Sequence, residues 1–324
     1  MNNFTPCDIP VGVVGLGLMG SSIAVALLIS GHPVKAIAPL AEDMEQGPVR
    51  IEEQLILCNN SGLLEHPVEF YLSKIKVSED YSRLRNCEFV LECVVELMEV
   101  KKVVYNKITS NTRPDCVIAS NTSAIPISFL QQYVSHPERF MGVHWAEPAY
   151  MTRFLEITCG NQTDLHKAEW VFSLARFWHK EPTILRKDIR GFVTNRLMYA
   201  VYREALGLIK KGETTVEDAD KAFRYDAGSW MTLMGIFRRM DFTGLKDYSE
   251  ILKNIFPKLN NDSDIPDIMK RMIDEKARGT KTSGGFYEYT EEEAKQWEDN
   301  FALFNRDIYD LAAKYPSDIL DHSQ

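Results

Sequence analysis

A glycine-rich turn near the amino terminus restricts what this chain can fold into more than any other feature. The turn, GLGLMG at 15–20, follows an apolar run rich in β-branched residues at 11–14 and precedes an apolar, helix-forming stretch at 21–28. Gly31 ends that stretch, and a second apolar run follows at 34–38. Strand, turn, helix and strand in this order form the context in which a G-x-G-x-x-G pattern indicates dinucleotide binding, rather than a chance match.

The three glycines of the pattern have different roles in such a site. Gly15 permits a tight turn that a Cβ atom would block. Gly17 lets a pyrophosphate approach the backbone, and Gly20 lets the helix pack closely on the strand. The free N–H groups at the helix N-terminus then face the phosphates. The whole turn is therefore the predicted cofactor-binding segment: Gly15, Leu16, Gly17, Leu18, Met19 and Gly20.

The end of the second predicted strand lacks a residue that such sites usually have. An Asp or Glu about 20 residues after the turn normally holds the adenosine ribose, but here Ala38 is followed by Pro39 and Leu40. Glu42 and Asp43 come slightly later, and no adjacent Arg marks a site for a 2′-phosphate. The turn therefore predicts a nicotinamide dinucleotide without deciding between NAD and NADP.

Composition excludes several classes of protein. A chain of 324 residues with 45% hydrophobic residues suits two domains with sizeable cores. A net charge of −9 argues against nucleic acid as a partner. Six cysteines without a C-x-x-C pair argue against disulfides or zinc and favour a reducing cytoplasm. The longest apolar stretch, 23–29, is too short to cross a bilayer, and residues 1–10 do not resemble a signal peptide.

The order of predicted elements indicates two domains of different class. After a polar, helical region at 41–73, which suits one crossover helix or a hairpin of helices, strands alternate with helices. The predicted strands are 72–77, 87–95, 116–120, 140–143 and 154–158, and the predicted helices are 97–108, 127–133 and 168–178. This alternation is typical of a Rossmann-like, doubly wound, mostly parallel α/β sheet.

The pattern changes near 188–191, and only helical periodicity follows. The predicted helices there are 193–210, 215–225, 249–256, 264–277 and 290–315. We therefore predict a dinucleotide-binding domain at 1–188 and a smaller, all-α C-terminal domain at 189–324.

Polar side chains at predicted strand ends are the candidates for chemistry, because ligands bind there in open α/β sheets. His144 ends one strand, and Glu156 is a charge inside the next apolar strand, where burial would require a partner. A His–Glu pair would meet that need and make the imidazole a stronger base. The alternatives are a structural histidine and a glutamate that keeps an edge strand in solution.

Other polar groups stand at comparable places. The run Ser120 to Ser123 follows a strand and either caps the next helix or presents a hydroxyl to substrate. Asn195, near the start of the α domain, has either a functional role or a structural one, as a helix cap or in an interhelix hydrogen bond. Glu96 and Lys101 follow the strand 87–95. The alternative to a functional role is a solvated pair at the start of a helix, without consequence. No H-E-x-x-H or paired histidines point to a metal.

The chain resembles the 3-hydroxyacyl-CoA dehydrogenase family over nearly its whole length. The similar segments, in order, are GLGLMG at 15–20, ECVVELMEVK at 92–101, SNTSAIPI at 120–127, HWAEP at 144–148, LEI at 155–157, DIRGFVTNRLMYAVYREAL at 188–206, MDFTGL at 240–245 and KTSGGFYEY at 281–289. The resemblance implies reversible hydride transfer with NAD, a 3-hydroxyacyl-CoA or related 3-hydroxy acid as substrate, and a homodimer built by the α domain.

The resemblance also implies roles for individual residues. His144 corresponds to the general base and Glu156 to the carboxylate that orients it. Ser123 and Asn195 correspond to residues that hydrogen-bond the reacting oxygen. Glu96 and Lys101 match positions near the nicotinamide ribose, and Lys281 matches a position that reaches the cofactor; Ser123 also lies at the cofactor.

Three departures from the family pattern leave the substrate open. Ala38 replaces the ribose-binding Asp, and Glu147 replaces an Asn close to the predicted base. The region 50–64 lacks the lysines that acyl-CoA enzymes carry there, and CoA phosphates need cations. Relatives that oxidise gulonate or carnitine, and one recruited as a lens structural protein, therefore remain alternatives. The leading hypothesis is a 3-hydroxyacyl-CoA dehydrogenase; the others are a dehydrogenase of a non-CoA substrate and a non-catalytic dinucleotide-binding protein.

Overall fold

The computed structural model describes residues 5–282 and 284–315, which form two compact units. The first unit ends at Val193 and the second begins at Thr194. The first four residues of the predicted N-terminal domain and the last nine of the C-terminal domain lie outside the described residues, as does Ser283.

The first unit is built on one eight-stranded sheet. Its strands are β1 (Val11–Val14), β2 (Val34–Ile37), β3 (Ile75–Ser78), β4 (Phe89–Glu92), β5 (Val117–Ser120), β6 (Phe140–Trp145), β7 (Phe154–Cys159) and β8 (Glu181–Leu185). They pair in the order β3-β2-β1-β4-β5-β6-β7-β8. All neighbours are parallel except β6 and β7, which are antiparallel. The predicted Rossmann-like, mostly parallel sheet is therefore confirmed.

Helices cover both faces of this sheet. The helices of the first unit are α1 (Leu18–Ile29), α2 (Ala41–Asn60), α3 (Val68–Leu72), α4 (Met98–Asn111), α5 (Ile127–Leu130) and α6 (Leu165–Phe177). Alternate residues of β1 belong to two separate hydrophobic clusters, with Val11 and Val13 in one and Val14 in the other. Because successive strand residues point to opposite faces, each cluster is the core of one sheet–helix layer.

Two strands differ from expectation. β8 was not predicted, because Pro182 and a half-exposed side-chain pattern hide an edge strand. The predicted strand 87–95 is wrong in its last residues, since β4 ends at Glu92. The Glu92 carboxylate accepts a hydrogen bond from the N–H of Val94 at 2.8 Å, so this backbone donor is engaged just after the strand. The region 41–73 forms the two helices α2 and α3, with β3 beginning at Ile75.

The second unit is helical in its described residues, apart from isolated bridges between Gly279, Gly284 and Glu288. Its helices are α7 (Thr194–Lys210), α8 (Val216–Tyr225), α9 (Ala227–Met231), α10 (Ile236–Thr243), α11 (Leu245–Ile255), α12 (Asp267–Asp274) and α13 (Glu291–Lys314). Sequence periodicity did not predict α9 and α10. Among the described residues, no helix in either unit is both long and apolar enough to span a membrane.

Candidate active site

The glycine turn between β1 and α1 has the geometry that its sequence requires. Gly15 has φ +95°, and a Cβ atom there would lie 2.9 Å from the carbonyl oxygen of Cys93. A Cβ on Gly20 would collide with the carbonyl oxygen of Gly15. A Cβ on Gly17 would meet no atom within 4 Å. Two glycines are therefore needed by the turn itself, whereas Gly17 borders open space.

That open space suits a diphosphate. Gly17 is the N-cap of α1 and provides no side-chain cap, and the first N–H groups of an α-helix have no partners within the helix. Ser21, in the first turn, donates its hydroxyl hydrogen back to the carbonyl of Leu16 at 2.9 Å, which stabilises the turn. The helix N-terminus thus presents backbone donors and a positive dipole end to an anion.

The side chain at the end of β2 offers no hydrogen-bond acceptor to a ribose. Ala38 is fully buried, and its N–H donates to the carbonyl of Ser78 at 3.0 Å. A different acid, Glu42, is linked to the glycine turn through Arg50. Arg50 of α2 donates to the carbonyl of Leu16 at 3.1 Å and lies 3.7 Å from the exposed carboxylate of Glu42.

His144 and Glu156 face each other across the antiparallel pair β6 and β7, where they are direct register partners. The imidazole Nδ1 lies 3.9 Å from Glu156 Oε2, with side-chain exposures of 16% and 2% respectively. The pair is therefore within charge contact, but slightly too far apart for a hydrogen bond. Because β8 lies outside β7, Glu156 is not on an edge strand, and the interpretation as a solubility charge is wrong.

The residues that end the first unit enclose this pair. The N–H of Val193 donates to Glu156 Oε1 at 3.0 Å, so the two carboxylate oxygens have different neighbours. The Phe192 ring is fully buried 6.0 Å from the imidazole, and the Phe154 ring lies 5.4 Å from it at 83°. Phe192 has φ +47°, a left-handed conformation that costs a non-glycine residue free energy. The apolar rings limit the access of water to His144.

A buried ionic network, which the sequence interpretation missed, lies at the adjacent ends of β4 and β5. The carboxylate of Glu92 receives Lys101 Nζ at 2.9 and 3.0 Å, the Tyr105 hydroxyl at 2.8 Å and the Ser120 hydroxyl at 2.7 Å. Lys101 Nζ also lies 3.0 Å from Glu96 Oε2. Only the apolar context of Glu92 in the run CEFVLECVV could have revealed it, since a glutamate there must be buried with a partner.

Electrostatics within this network favour a charged lysine. Burial by itself lowers the pKa of Lys101, but the carboxylates of Glu92 and then Glu96 outweigh it, so the pKa is raised above its ordinary value. Burial, followed by the neighbouring Glu92 charge, raises the pKa of Tyr105 well above its usual range. Tyr105 therefore stays a hydroxyl donor, and Lys101 stays an ammonium ion.

The run after β5 contacts the same network. Thr122 donates its hydroxyl hydrogen to Glu96 Oε1. The same hydroxyl oxygen accepts the N–H of Ile125 at 3.0 Å, so this run does turn the chain toward α5. Ser123 is exposed at this strand end, and Asn121 accepts the N–H of Trp145, the residue after His144, at 3.0 Å.

A second buried cation, also missed in the sequence, holds the loop that follows His144. Lys180 is 4% exposed, and its ammonium donates hydrogen bonds to the carbonyls of Ala149 and Thr152. It also lies 5.1 Å from the centre of the Trp145 ring. Burial, with a smaller contribution from Arg153, lowers the pKa of Lys180 to about 7. Glu147, in the same loop, is exposed.

The two remaining predicted residues belong to the second unit. Asn195 is the second residue of α7, so it lies in the first helical turn and not in a helix interior. Lys281 is exposed in a turn between α12 and α13. In the part of the chain that the structure describes, no group of three or more His, Cys, Asp or Glu side chains is placed to hold a metal ion.

Comparison with protein families finds two matching models. The model described as "3-hydroxyacyl-CoA dehydrogenase, NAD binding domain" matches residues 10–189, and that described as "3-hydroxyacyl-CoA dehydrogenase, C-terminal domain" matches residues 191–289. Together they span most of the chain, and the glycine turn, His144 and Glu156 all fall in the first.

Individual relatives carry different names. The chain is 28% identical to 5-formyl-3-hydroxy-2-methylpyridine 4-carboxylate 5-dehydrogenase of Mesorhizobium japonicum, over 88% of this chain and 92% of that one. It is 29% identical to a probable 3-hydroxybutyryl-CoA dehydrogenase of Deinococcus radiodurans, over 86% and 99%. A crystal structure of a 5-formyl-3-hydroxy-2-methylpyridine 4-carboxylic acid 5-dehydrogenase, described as an NAD+ dependent dismutase, superimposes with a TM-score of 0.84 at 27% identity, covering 93% and 96%.

Proposed function

The chain belongs to the 3-hydroxyacyl-CoA dehydrogenase family, and we propose that it oxidises the C3 hydroxyl of its substrate with His144 as general base. It is an NAD-dependent oxidoreductase, as its family is. The observation that carries the proposal is the pairing of His144 with a buried carboxylate at the carboxyl end of β6. That end of the sheet also holds the glycine turn, which matches the usual place of ligands in such folds.

The side chains suggest how the proton is handled. His144 removes the hydroxyl proton, and Glu156 stabilises the imidazolium that forms, since one of its oxygens already lies 3.9 Å from Nδ1. The Val193 N–H holds the other oxygen, so the carboxylate stays oriented. NAD would supply the hydride acceptor for C3, the carbon that carries this hydroxyl. Phe154 and Phe192 keep the imidazole away from bulk water, which strengthens the ionic contact.

The other predicted residues complete the proposal. Ser123 and Asn195 hydrogen-bond the reacting oxygen and orient the substrate. The glycine turn binds the diphosphate, while Glu96 and Ser123 bind the nicotinamide half of the cofactor. Lys101, whose buried ammonium contacts both Glu92 and Glu96, supports this half through Glu96. Lys281 contributes a positive charge from the helical unit. These assignments rest on position within the family pattern, and for Glu96 and Lys101 also on their direct contact.

Two substrate classes compete. A 3-hydroxyacyl-CoA is supported by the family and by the 3-hydroxybutyryl-CoA relative, and it would place the reaction in fatty acid metabolism. A small hydroxy acid without CoA, such as gulonate or carnitine, is supported by charge. α2, beside the glycine turn, carries five acidic residues and one basic residue, Arg50, whose guanidinium already contacts Leu16 and Glu42. Such a helix attracts no CoA phosphate.

A matched substrate pair separates these classes. The purified chain is incubated with NAD and either 3-hydroxybutyryl-CoA or free 3-hydroxybutyrate, with carnitine and gulonate alongside, and reduced cofactor is followed by absorbance. Turnover of the CoA ester alone supports the first class, and turnover of any free acid supports the second. If wild-type chain binds NAD but turns over none of these compounds, a non-catalytic dinucleotide-binding protein replaces the proposal.

We also propose a homodimer formed by the helical unit. Large apolar side chains are widely exposed there, and Phe237 and Phe242 of α10 are exposed by 73% and 76%. A patch of this kind marks an interaction surface, and a second copy of the chain is the partner that the family suggests. Light scattering on the purified chain should give twice 37.1 kDa; a mass of one chain contradicts the dimer.

The proposed compartment is the cytoplasm. All six cysteines have free thiols, and Cys58, Cys87, Cys116 and Cys159 are buried. Burial raises the pKa of the Cys58 thiol to about 12, which keeps it in the unreactive protonated form. Free thiols of this number fit a reducing environment.

A further inference from the structure

The buried Glu92 has no role in the proton transfer described above, and its surroundings show what it does. Both carboxylate oxygens are saturated: Oε1 accepts the N–H of Val94 and Lys101 Nζ, while Oε2 accepts Lys101 Nζ and the hydroxyls of Tyr105 and Ser120. A carboxylate with this many donors cannot also receive a ligand. It can only hold its partners in place, and the one charged partner is Lys101.

Lys101 in turn connects Glu92 to an exposed carboxylate. Its side chain is 1% exposed, and its ammonium lies between Glu92, which is fully buried, and Glu96, whose side chain is 41% exposed. Glu96 is held on its other oxygen by Thr122. One fixed donor on each oxygen leaves lone pairs of the Glu96 carboxylate directed to solvent, in a defined orientation. A carboxylate of fixed orientation with free lone pairs can accept hydrogen bonds from vicinal hydroxyl groups, such as those of a ribose.

The place of Glu96 suits the cofactor. The segment from Glu92 to Glu96 follows β4, whose neighbour in the sheet is β1. The N–H of Cys93, within that segment, donates to the carbonyl of Val14 at 2.8 Å. The carbonyl oxygen of Cys93 lies where a Cβ atom on Gly15 would approach it to 2.9 Å. The carboxylate of Glu96 is therefore carried by the segment that packs against the glycine turn.

We propose that Glu92 is a positioning residue for cofactor binding: it fixes the Lys101 ammonium, which holds Glu96 ready to accept the hydroxyls of the nicotinamide ribose. This inference rests on the proposed cofactor site. It differs from a purely structural role for the Glu92–Lys101 pair, in which the two charges only compensate each other inside the protein.

A double variant distinguishes the two roles. Glu92→Gln together with Lys101→Met removes both buried charges, so the midpoint of thermal unfolding should recover relative to either single change. NAD binding, measured by calorimetry on the full chain without substrate, should nevertheless weaken about tenfold, and Glu96→Gln alone should weaken it by the same amount. Adding Glu96→Gln to the double variant should then weaken binding less than twofold further, because Glu96 is no longer held in place.

The matched control is Lys102→Met, which removes a half-buried lysine from the same helix and its ion pair with the exposed Glu99; NAD binding should be unchanged. Glu92→Asp keeps the test valid if the double variant does not fold. It retains the buried charge, but its shorter side chain draws Lys101 away from Glu96, so NAD binding should weaken. Adding Glu96→Gln to Glu92→Asp should then weaken NAD binding little further. Wild-type affinity in the folded double variant or in Glu92→Asp overturns the inference alone. Absence of NAD binding by the wild-type chain overturns the proposed function as well.

Discussion

Glu156 accepts the backbone N–H of Val193 at 3.0 Å, so the carboxylate paired with His144 is also bound to the last residue of the first unit. One oxygen faces the imidazole and the other faces the chain that leads into the helical unit. The orientation of the predicted base is therefore determined by the segment 189–193 as well as by the sheet. Phe192, next to Val193, has a left-handed backbone conformation, so holding this segment against Glu156 costs conformational free energy.

Removing either member of the His144–Glu156 pair should reduce activity by different amounts. His144→Gln should lower kcat/KM by about 10³-fold, because general base catalysis contributes about 10²–10⁴-fold. Glu156→Gln should lower it by about 10²-fold, since the base remains but loses its charge partner. Steady-state kinetics on the best substrate measures both. His166→Gln is the control, because His166 and Glu169 form an exposed pair 3.8 Å apart, and an equal loss in this variant would contradict the assignment.

Two glycines of the same turn should respond in opposite ways to alanine. Gly17→Ala places a methyl group in open space, so the fold should survive while NAD affinity falls at least about tenfold, through the lost approach of the diphosphate. Gly20→Ala drives the same group into the Gly15 carbonyl and should lower the unfolding midpoint. Calorimetry with NAD and thermal unfolding on each variant check this. Full NAD affinity in Gly17→Ala would place the phosphates elsewhere.

An acid at position 38 should strengthen NAD binding. Ala38→Asp supplies an acceptor for the adenosine ribose hydroxyls, and one charge-assisted hydrogen bond is worth about 1.5–3 kcal/mol, or roughly tenfold or more in the dissociation constant. Unchanged affinity in a folded Ala38→Asp would mean that another group already holds the ribose. Glu42, beside Arg50, is that group if Glu42→Gln then weakens NAD binding while the neighbouring Asp43→Asn does not.

Lys180 should make the stability of the first unit increase with pH. Its pKa is about 7 in the folded protein and about 10.4 in an unfolded chain. Between these values the unfolded state binds a proton that the folded state has released, so the free energy of unfolding rises by up to about 1.4 kcal/mol per pH unit. Below pH 7 both states are protonated, and the cost of burying the charge is present in full. A neutral amine still donates to the carbonyls of Ala149 and Thr152.

Urea unfolding of wild type and Lys180→Met between pH 7 and 8.5 measures this contribution. The difference in unfolding free energy between the two proteins should grow with pH in favour of wild type. The control is Lys187→Met, which removes an exposed lysine. Its difference in unfolding free energy from wild type should not change with pH. Parallel pH profiles for wild type and Lys180→Met would show that Lys180 keeps an ordinary pKa in the fold.

Local sequence patterns predicted the architecture of the first unit and the conformation of its glycine turn. The glycine turn could be interpreted from sequence because its constraints are local: each glycine is required by atoms a few residues away or by a neighbouring strand end. The strands β1, β4 and β5 are apolar except at Gly12, Glu92 and Ser120, as expected for strands covered on both faces. β8 escaped prediction because Pro182 and its half-exposed side chains give an edge strand no periodic signal.

The residues alone predict a glycine turn at the start of a doubly wound sheet, and a histidine and a glutamate in consecutive strands. They do not predict that β6 and β7 run antiparallel with His144 opposite Glu156, or that Glu92, Lys101, Tyr105 and Ser120 meet at one point. Strand register and burial arise from pairing between distant segments, and a buried carboxylate acquires its donors only when those segments pack together.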